Sequence, residues 1–341
     1  MAAPKEAPER YRLFGLDEFT GRGAQVQHNL DRRVPFWARI ADRVLNRTLY
    51  GSGGYGGDFA SVLASLRAIN AADVVLSTVD TVGIPLVLLK RFGIVRTPVV
   101  YVAIGLPERL VQLRRLQGLY RRALRATRAI VSYAESEAEW LRDWLGPDAR
   151  VVFVPFGVDA EAFRPVDREP DFDVVSIGAD PRRDFELLAS VATRNPELSV
   201  RVVASAEHAR TFGALPANVS VEADIPIEAV RDRLAAARVV ALPVRDNSYS
   251  GATTTLLQAM AMAKPVVVSR TDAIATGYGL EDGVNCRLVP PGDADALGRA
   301  LLELLAGADA ATALGTRARE TVERSLTWER YTNALWKLLS P

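Results

Sequence analysis

Short, continuous apolar runs alternate with amphipathic segments of helical length along most of the chain. The apolar runs comprise residues 74–77, 99–103, 129–132, 151–154, 174–177, 200–204, 239–242 and 265–269. The amphipathic segments include residues 58–69, 136–145, 184–192, 227–237 and 254–262. Strands that are apolar throughout are typical of parallel sheets covered by helices on both faces. The pattern predicts an α/β fold, and 341 residues with this many strands suit two sheets better than one.

Charge and composition exclude several classes of function. The net charge is +1, which argues against a nucleic-acid-binding protein. Cys286 is the single cysteine, so no intramolecular disulfide forms, and two histidines are too few for a His-rich metal site. The first ten residues have no apolar core typical of a secretory signal, and no apolar run reaches the length of a membrane span. We therefore expect a soluble, cytoplasmic protein with no metal site.

The stretch "SYSGATTTLLQAMAMAKPVVVS" (residues 248–269) joins a polar loop to a buried helix and a strand. In a parallel sheet, ligands bind at the carboxyl ends of strands, beside helix N-termini with unpaired N–H groups. Gly251 permits close approach of a ligand, and Ser250, Thr253 and Thr254 add hydroxyl groups. The segment is suited to bind a phosphate or diphosphate. The alternative is that Ser250 or Thr253 only caps the helix.

Several segments, in this order, resemble the retaining nucleotide-sugar glycosyltransferases of family four, which have the two-Rossmann GT-B fold. The matching segments are residues 248–269, "VVFVPFGVDAEAFRP" (151–165), "VSIGADPRRDFELLASVA" (175–192), "GLEDGVNCRLVPPGDADALGRALLELL" (279–305) and "LTWERYTNALWKLL" (326–339). The resemblance covers roughly residues 70–340. It implies an acceptor-side Rossmann-like domain (1–158), a donor-binding Rossmann-like domain (159–325) and a C-terminal helix (326–341) that crosses back onto the first domain.

The resemblance also implies the donor site. It assigns donor binding to Gly178, Arg183, Ser250, Gly251, Ala252, Thr253, Thr254 and Gln258. The chain departs from the family where two glutamates usually stand, because it has Ser250 and Gln258 there. The resemblance gives the first position to a sugar hydroxyl and the second to the ribose, which Gln258 can still bind as donor and acceptor. Ala179 replaces a usual arginine. Arg182 or Arg183 could replace the lysine that usually follows a few residues later, and we choose Arg183, whose guanidinium can bind phosphate in a bidentate manner. The alternative for Arg183 is an ordinary solvated residue of a helix's first turn.

The activity implied is transfer of a sugar, most simply a hexose, with retention of configuration and without metal. The nucleotide-diphosphate sugar is a co-substrate, and no cofactor is expected. The acceptor is a sugar, a lipid-linked molecule or a small molecule, and Glu108, Arg109 and His28 are the candidate acceptor-side residues. The sequence identifies no catalytic side chain. Two alternatives remain, namely a non-catalytic nucleotide-sugar-binding homologue and a GT-B nucleotide-sugar epimerase. The loss of both glutamates supports the first.

The beginning of the chain departs from a standard first Rossmann domain. We expect a helix over residues 11–22 and a strand over 24–28, with the usual first strand missing or displaced. The glycine-rich stretch "YGSGGYGGDFASV" (50–62) precedes a helix that Asp58 is expected to cap. It is either a loop that closes over the acceptor or a flexible surface loop.

A basic segment, "ERLVQLRRLQGLYRRALRATRA" (108–129), is predicted as one helix. Its seven arginines are Arg109, Arg114, Arg115, Arg121, Arg122, Arg125 and Arg128. They lie beside a stripe of leucines. Either this Arg-rich helix (109–128) lies on an anionic membrane surface, making the protein peripheral on the inner face of the membrane, or the leucines pack on the sheet and the arginines face solvent.

Overall fold

The computed structural model describes residues 15–29, 32–113, 115–249 and 251–340. Cα packing divides the chain into two compact units. The C-terminal unit comprises Phe156–Tyr331, and the N-terminal unit comprises the described residues up to Pro155 together with those from Thr332 onward. Each unit contains one fully parallel sheet, which confirms the predicted α/β fold with two Rossmann-like sheets.

The N-terminal unit has a four-stranded sheet in the order β1-β2-β3-β4. Its strands are β1 (Val75–Ser77), β2 (Val99–Ala103), β3 (Ala129–Ser132) and β4 (Val151–Phe153). Its helices are α1 (Leu16–Gly21), α2 (Phe36–Gly51), α3 (Phe59–Ala71), α4 (Asp80–Arg91), α5 (Leu106–Val111), α6 (Gln117–Arg125) and α7 (Glu135–Leu145). The strands β2 and β3 are buried at every residue, as continuous apolar runs require.

Before β1 the described residues contain no strand, so the prediction of a strand over 24–28 is wrong. Only Ala24 and Val26 of that segment are partly buried, and they provide too little apolar surface to hold a strand against a sheet. The helix predicted over 11–22 is Leu16–Gly21 in the described part, and its predicted beginning lies outside the described residues.

The glycine-rich loop before α3 is fixed by hydrogen bonds. The Asn46 side chain donates to Gly57 O at 2.8 Å and accepts from Gly57 N at 3.0 Å, and Tyr55 N donates to the Tyr120 hydroxyl at 2.8 Å. Asp58 caps α3 by accepting from Ser61 N at 2.8 Å, which confirms the predicted cap. These bonds hold residues 55–57 against α2 and α6, and closure over the acceptor and surface flexibility both stay predictions.

The basic segment forms two helices, α5 and α6, and the single helix predicted over 108–129 is wrong. A straight helix of that length would span about 33 Å, roughly twice the length of the five-residue strand β2. The break allows Leu110, Leu113 and Leu124 to be buried together in the core. The described arginines from Arg115 to Arg125 are exposed, so the leucine stripe serves the core. Arg114 lies outside the described residues.

The C-terminal unit has a six-stranded sheet in the order β10-β9-β8-β5-β6-β7. Its strands are β5 (Phe172–Ile177), β6 (Val200–Ala204), β7 (Val219–Ala223), β8 (Ala237–Leu242), β9 (Val266–Ser269) and β10 (Arg287–Val289). Its helices are α8 (Phe185–Arg194), α9 (Ala206–Ala209), α10 (Ile227–Ala235), α11 (Thr253–Ala261), α12 (Asp272–Ala275), α13 (Ala294–Ala306) and α14 (Ala308–Ser325). The strands β7 and β10 were not predicted. The edge strand β7 alternates polar and apolar residues, and the edge strand β10 has only three residues, one of them an arginine.

The last helix, α15 (Trp328–Leu339), begins in the C-terminal unit and ends among the residues that cluster with the N-terminal unit. Within the N-terminal unit, Trp336 packs on Phe19 with ring centroids 5.4 Å apart, and Asn333 accepts a hydrogen bond from Arg22 at 2.5 Å. The helix therefore crosses back as predicted. Among the described helices, none combines the length and the apolar character needed to cross a bilayer.

Candidate donor site at the sheet of the C-terminal unit

The strand order of the C-terminal unit reverses between β5 and β8. From β5 the chain proceeds outward through β6 to β7, and from β8 it proceeds in the opposite direction through β9 to β10. The loops that follow β5 and β8 therefore separate at the carboxyl edge of the sheet. In open parallel sheets, ligands bind at this topological switch point. The loops in question are residues 178–184 and 243–252.

Arg183, in the loop after β5, is buried, with only 1% of its surface exposed. Its Nη2 donates to Ile177 O, and its guanidinium lies 5.7 Å from the ring of Phe185. Its Nε and Nη1 have no hydrogen-bond partner among the described residues. Burial lowers the pKa of this guanidinium to about 10, so it stays charged at neutral pH. The alternative of a solvated first-turn residue is thus wrong, and the fold holds a cation with unmatched N–H groups beside the switch point.

Gly178, a predicted site residue, directly follows β5. The packing around it leaves no room for a side chain. A Cβ at Gly178 would collide with the side chain of Arg183. Asp184 caps α8 by accepting from Leu187 N at 3.2 Å, so Arg183 immediately precedes the cap of the helix. Any larger residue at 178 would therefore displace the buried guanidinium.

The loop after β8 folds on itself and onto the β5 loop. Arg245 N donates to Arg182 O at 2.8 Å, which joins the two loops. Asn247 closes a turn, because its side chain donates to Arg245 O at 2.7 Å and accepts from Tyr249 N at 3.1 Å. The Tyr249 hydroxyl donates to Asp180 Oδ1 at 3.0 Å. The two loops thus form one hydrogen-bonded surface at the switch point. Ser250, a predicted site residue, lies outside the described residues.

The helix α11 begins at this surface with Ala252 as its N-cap, and no described side chain caps it. The predicted alternative, in which Thr253 caps the helix, is therefore wrong. The first-turn N–H groups have no partners within a helix, and they carry its partial positive charge. Gly251, which precedes the helix, lies next to the carboxylate of Asp180, at 3.3 Å from a Cβ placed on the glycine. An acidic side chain consequently lies beside the helix end that we predicted to bind an anion.

Thr254 and Gln258 occupy one face of α11 at different depths. Thr254 is exposed, whereas Thr253 and Gln258 are each 3% exposed. Residues four apart in a helix are neighbours, so Gln258 lies one turn deeper than Thr254. Recognition of a ribose by Gln258 remains a prediction.

Phe156, the first residue of the C-terminal unit, makes aromatic contacts. Its ring packs 5.8 Å from Trp328 and 5.0 Å from Tyr331. Its backbone N donates to the hydroxyl of Tyr278 at 3.1 Å, and burial raises the pKa of Tyr278. Phe156 thus belongs to an aromatic cluster within the C-terminal unit.

A polar cluster in the N-terminal unit

The candidate acceptor-side residue Arg109 belongs to a polar cluster at the carboxyl ends of β1 and β2. Its Nη1 lies 3.6 Å from Asp80 Oδ2 and donates to the Tyr55 hydroxyl. Its guanidinium also lies 4.6 Å from the centroid of the Tyr55 ring. Asp80 accepts from the Tyr101 hydroxyl and from Ile104 N at 3.3 Å, and burial raises the pKa of Asp80. The cluster joins a buried carboxyl to a half-exposed cation.

Sequence reasoning missed Tyr55, Asp80 and Tyr101. A signal for Asp80 existed, since it is an acid placed directly after an apolar run, at the start of a helix. Tyr55 and Tyr101 gave no signal, because only the tertiary fold brings their hydroxyls to Asp80 and Arg109. Glu108 lies in the first turn of α5, next to Arg109 in sequence. His28 is exposed, lies outside any strand and makes none of the cluster's contacts.

Glu137 holds the start of α5, the helix that carries Arg109. Its carboxyl group accepts from Leu106 N at 2.9 Å and from the Ser132 hydroxyl at 2.6 Å. Glu137 is 2% exposed, and burial raises its pKa to about 8. At neutral pH this carboxyl therefore retains its proton in most molecules.

Residues 160–307 match the family model described as Glycosyl transferases group 1, a range that contains all six strands of the C-terminal unit. No curated protein sequence matches the chain. Sucrose-phosphate synthase from Thermosynechococcus elongatus superposes with a TM-score of 0.68 at 20% identity, over 82% of this chain and 77% of that one. Anabaena HepE in complex with UDP-glucose superposes with a TM-score of 0.68 at 16% identity, over 82% of each chain.

A third structure, a glycosyltransferase from Rickettsia africae, covers 95% of this chain and 86% of its own length, with a TM-score of 0.65 at 11% identity. Identities this low establish the fold and leave the substrate open. The chain thus has the GT-B fold of these glycosyltransferases, and its C-terminal unit carries the group 1 glycosyltransferase sequence pattern.

Proposed function

We propose that the protein is a glycosyltransferase that moves a sugar, most simply a hexose, from a nucleotide-diphosphate sugar to an acceptor, with retention and without a metal ion. One observation carries the proposal: the start of α11, which no described side chain caps, and Arg183, which is buried with two N–H groups unmatched among the described residues, belong to the two loops of the switch point. Both lie in the range that matches group 1 glycosyltransferases. Residues 159–325 form the donor domain in this proposal.

The chemistry assigned to these groups is electrostatic. During transfer, the bond between the sugar's anomeric carbon and the terminal phosphate oxygen breaks, a bond from that carbon to the acceptor oxygen forms, and the proton of the acceptor hydroxyl passes to the departing diphosphate. Negative charge grows on the departing diphosphate, so fixed N–H groups and a nearby cation lower the barrier. The amides of residues 251–254 and the Arg183 guanidinium supply these groups. A buried cation is also stabilised when an anion pairs with it, which favours diphosphate over an uncharged ligand.

UDP is the first nucleotide to test, since HepE is a structural neighbour with UDP-glucose bound. Calorimetry should give a dissociation constant for UDP at least tenfold below that for uridine, because most of the proposed contacts are to phosphate. Purified protein with UDP-glucose should release UDP, faster when an acceptor is present, and should do so in EDTA. If EDTA abolishes turnover and magnesium restores it, the metal-independent form of the proposal is wrong.

The acceptor is assigned to the N-terminal unit, at the cluster of Arg109, Asp80 and Tyr55. Asp80 Oδ2 is buried beside the guanidinium of Arg109 and pairs with it, so the contact with the acceptor is assigned to Arg109. Arg109 is 36% exposed, so it is accessible to an acceptor. Glu108 remains a candidate in the same helix.

Two rival functions share the donor site. A binding homologue would bind UDP without turnover, and an epimerase would convert the donor sugar without an acceptor. The contact of Asp180 with Gly251 favours the first rival over the second, since it adds negative charge where a diphosphate must bind. Analysis of the sugar products by chromatography separates all three functions.

A further inference from the structure

The helix α2 has an exposed apolar face that the N-terminal unit leaves uncovered. Its opposite side faces the unit's interior, where Ala38 is buried and Leu45 and Leu49 pack against the core. The exposed fractions on the uncovered face are 75% for Phe36, 56% for Trp37, 46% for Ile40 and 59% for Val44. At 100° per residue these four side chains occupy an arc of about 100°. Four large apolar side chains together on one exposed face indicate an interaction surface.

Arginines line one edge of this face. Arg39, Arg43 and Arg47 follow at intervals of four residues, all exposed, and Arg32 and Arg33 precede the helix and are also exposed. None of the five forms an ion pair within the part of the chain that the structure describes. Their positive charge is thus available to a partner.

The segment from Arg32 to Tyr50 contains one acid, Asp42. Its carboxylate is turned toward the unit's interior, where it accepts from Asn46 at 3.0 Å and from Ala60 N at 3.3 Å. The exposed face of α2 therefore combines apolar side chains with uncompensated positive charge.

We propose that this face of α2 docks on an anionic lipid bilayer. Phe36, Trp37, Ile40 and Val44 enter the interface between headgroups and acyl chains, and the arginines bind lipid phosphates. Tryptophan and phenylalanine beside arginines on one face are typical of helices that lie in the plane of a membrane. The described part of segment 108–129 lacks such a face, because its leucines are buried or partly buried.

A second copy of the chain fits this face less well. A two-fold symmetric contact would bring the same surface of both copies together. Each copy would contribute its arginines, and neither would contribute an acid from this face. Anionic lipid complements the charge and accommodates the apolar side chains at once, which makes it the better occupant.

The proposal is tested with the full chain by co-sedimentation with phosphatidylcholine vesicles, with and without phosphatidylglycerol. We expect binding only with phosphatidylglycerol, weakened by salt. The triple substitution R39E/R43E/R47E should lower the association constant at least roughly 100-fold, from about fivefold per arginine removed from the surface. The variant F36S/W37S/I40S/V44S should not bind at either salt concentration.

Two control variants locate the surface. R115E/R121E/R122E changes the same charge on exposed arginines of the other basic segment, and Val111→Ser removes an exposed apolar side chain, 66% exposed, from α5. Both should bind vesicles like the unsubstituted chain. Equal loss of binding in R115E/R121E/R122E and R39E/R43E/R47E would overturn the proposal in favour of nonspecific charge attraction.

Tryptophan fluorescence gives an independent readout. The emission should shift to shorter wavelength with anionic vesicles, and the shift should disappear in Trp37→Phe and persist in Trp140→Phe. Absence of vesicle binding at low salt overturns the proposal. Self-association that the apolar substitutions abolish would also overturn it, because the face would then belong to a contact with a second copy. Binding to an acidic polypeptide without binding to lipid would overturn it as well.

Discussion

The carboxylate of Asp180 lies beside Gly251, where α11 begins. A Cβ on Gly251 would be 3.3 Å from both Asp180 Cγ and Oδ2, and Tyr249 fixes the other carboxylate oxygen with a 3.0 Å hydrogen bond. An anion thus already occupies the neighbourhood of the helix end to which we assign the donor diphosphate. Donor binding must overcome its repulsion or move this side chain.

Replacing the acid should therefore strengthen donor binding. We expect Asp180→Asn to lower the dissociation constant of UDP about three- to tenfold at low salt, and less at high salt, because exposed charges are screened. Calorimetry at two salt concentrations measures this. Tyr249→Phe, which keeps the charge and removes only the hydrogen bond, is the control. Weaker UDP binding by Asp180→Asn would show that the carboxylate contacts the donor directly.

The glycine beside Asp180 should tolerate no branched side chain. In Gly251→Val, the Cβ alone would be 3.2 Å from the Tyr249 ring, and the two methyl groups would enter the space assigned to the diphosphate. We expect UDP affinity to fall more than tenfold while the melting temperature stays nearly unchanged. Gly213→Val is the matched control, since a Cβ there meets nothing within 4 Å. Unchanged UDP affinity in Gly251→Val would rule out this placement of the diphosphate.

Removing the buried cation should distinguish phosphate from nucleoside. Arg183→Met retains an apolar stem of similar length, and we expect UDP binding to weaken at least tenfold while uridine binding changes less than threefold. The substitution also leaves Ile177 O without its donor, which should cost about 1–3 kcal/mol of stability. Equal losses for the two ligands would identify Arg183 as a structural residue only.

The depth of Gln258 along α11 leads to a prediction about the ribose. Gln258→Leu keeps the volume and removes the amide, so donor affinity should fall by about 1–3 kcal/mol, as when a buried polar partner is lost. A 2′,3′-dideoxyribose donor lacks the hydroxyls in question and should bind both proteins alike. Competition binding with the two donors measures the difference. If the dideoxy donor weakens as much as the normal one, the nucleotide does not lie along this helix face.

Glu137 should make the stability of the N-terminal unit depend on pH. Because burial raises its pKa to about 8, folding favours the protonated form. The stabilisation relative to the ionised state is complete below the unfolded value near 4.5 and is lost as the pH rises through about 8. The side chain in Glu137→Gln cannot ionise. Between pH 5 and pH 9, the free energy of unfolding of the original chain should therefore fall relative to that of Glu137→Gln by up to ~4 kcal/mol, at about 1.4 kcal/mol per pH unit. Denaturant unfolding at several pH values tests this, and a constant difference would contradict the assignment.

The fold could be read from the sequence to a large extent. Continuous apolar strands predicted both parallel sheets, and eight of the ten strands correspond to predicted runs. The edge strands β7 and β10 were missed, because a strand with one covered face carries a weaker apolar signal. The predicted donor-site residues that the structure describes lie in two neighbouring loops and in the first turns of α11, because the strand order reverses at β5 and β8.

The sequence by itself determined the local features of the chain, since each depends on residues only a few positions apart. These features are the period of the apolar residues, helix caps such as Asp58, and the glycine and threonine run before α11. Only the tertiary structure decided which distant residues meet. It buries Arg183, brings Asp180 next to Gly251, and assembles Arg109 with Asp80 and Tyr55. It also decided the break in the basic segment and the exposure of the apolar face of α2. These features depend on which distant surfaces cover a given side chain, and amphipathic period alone does not distinguish a face packed on a sheet from one left to a partner.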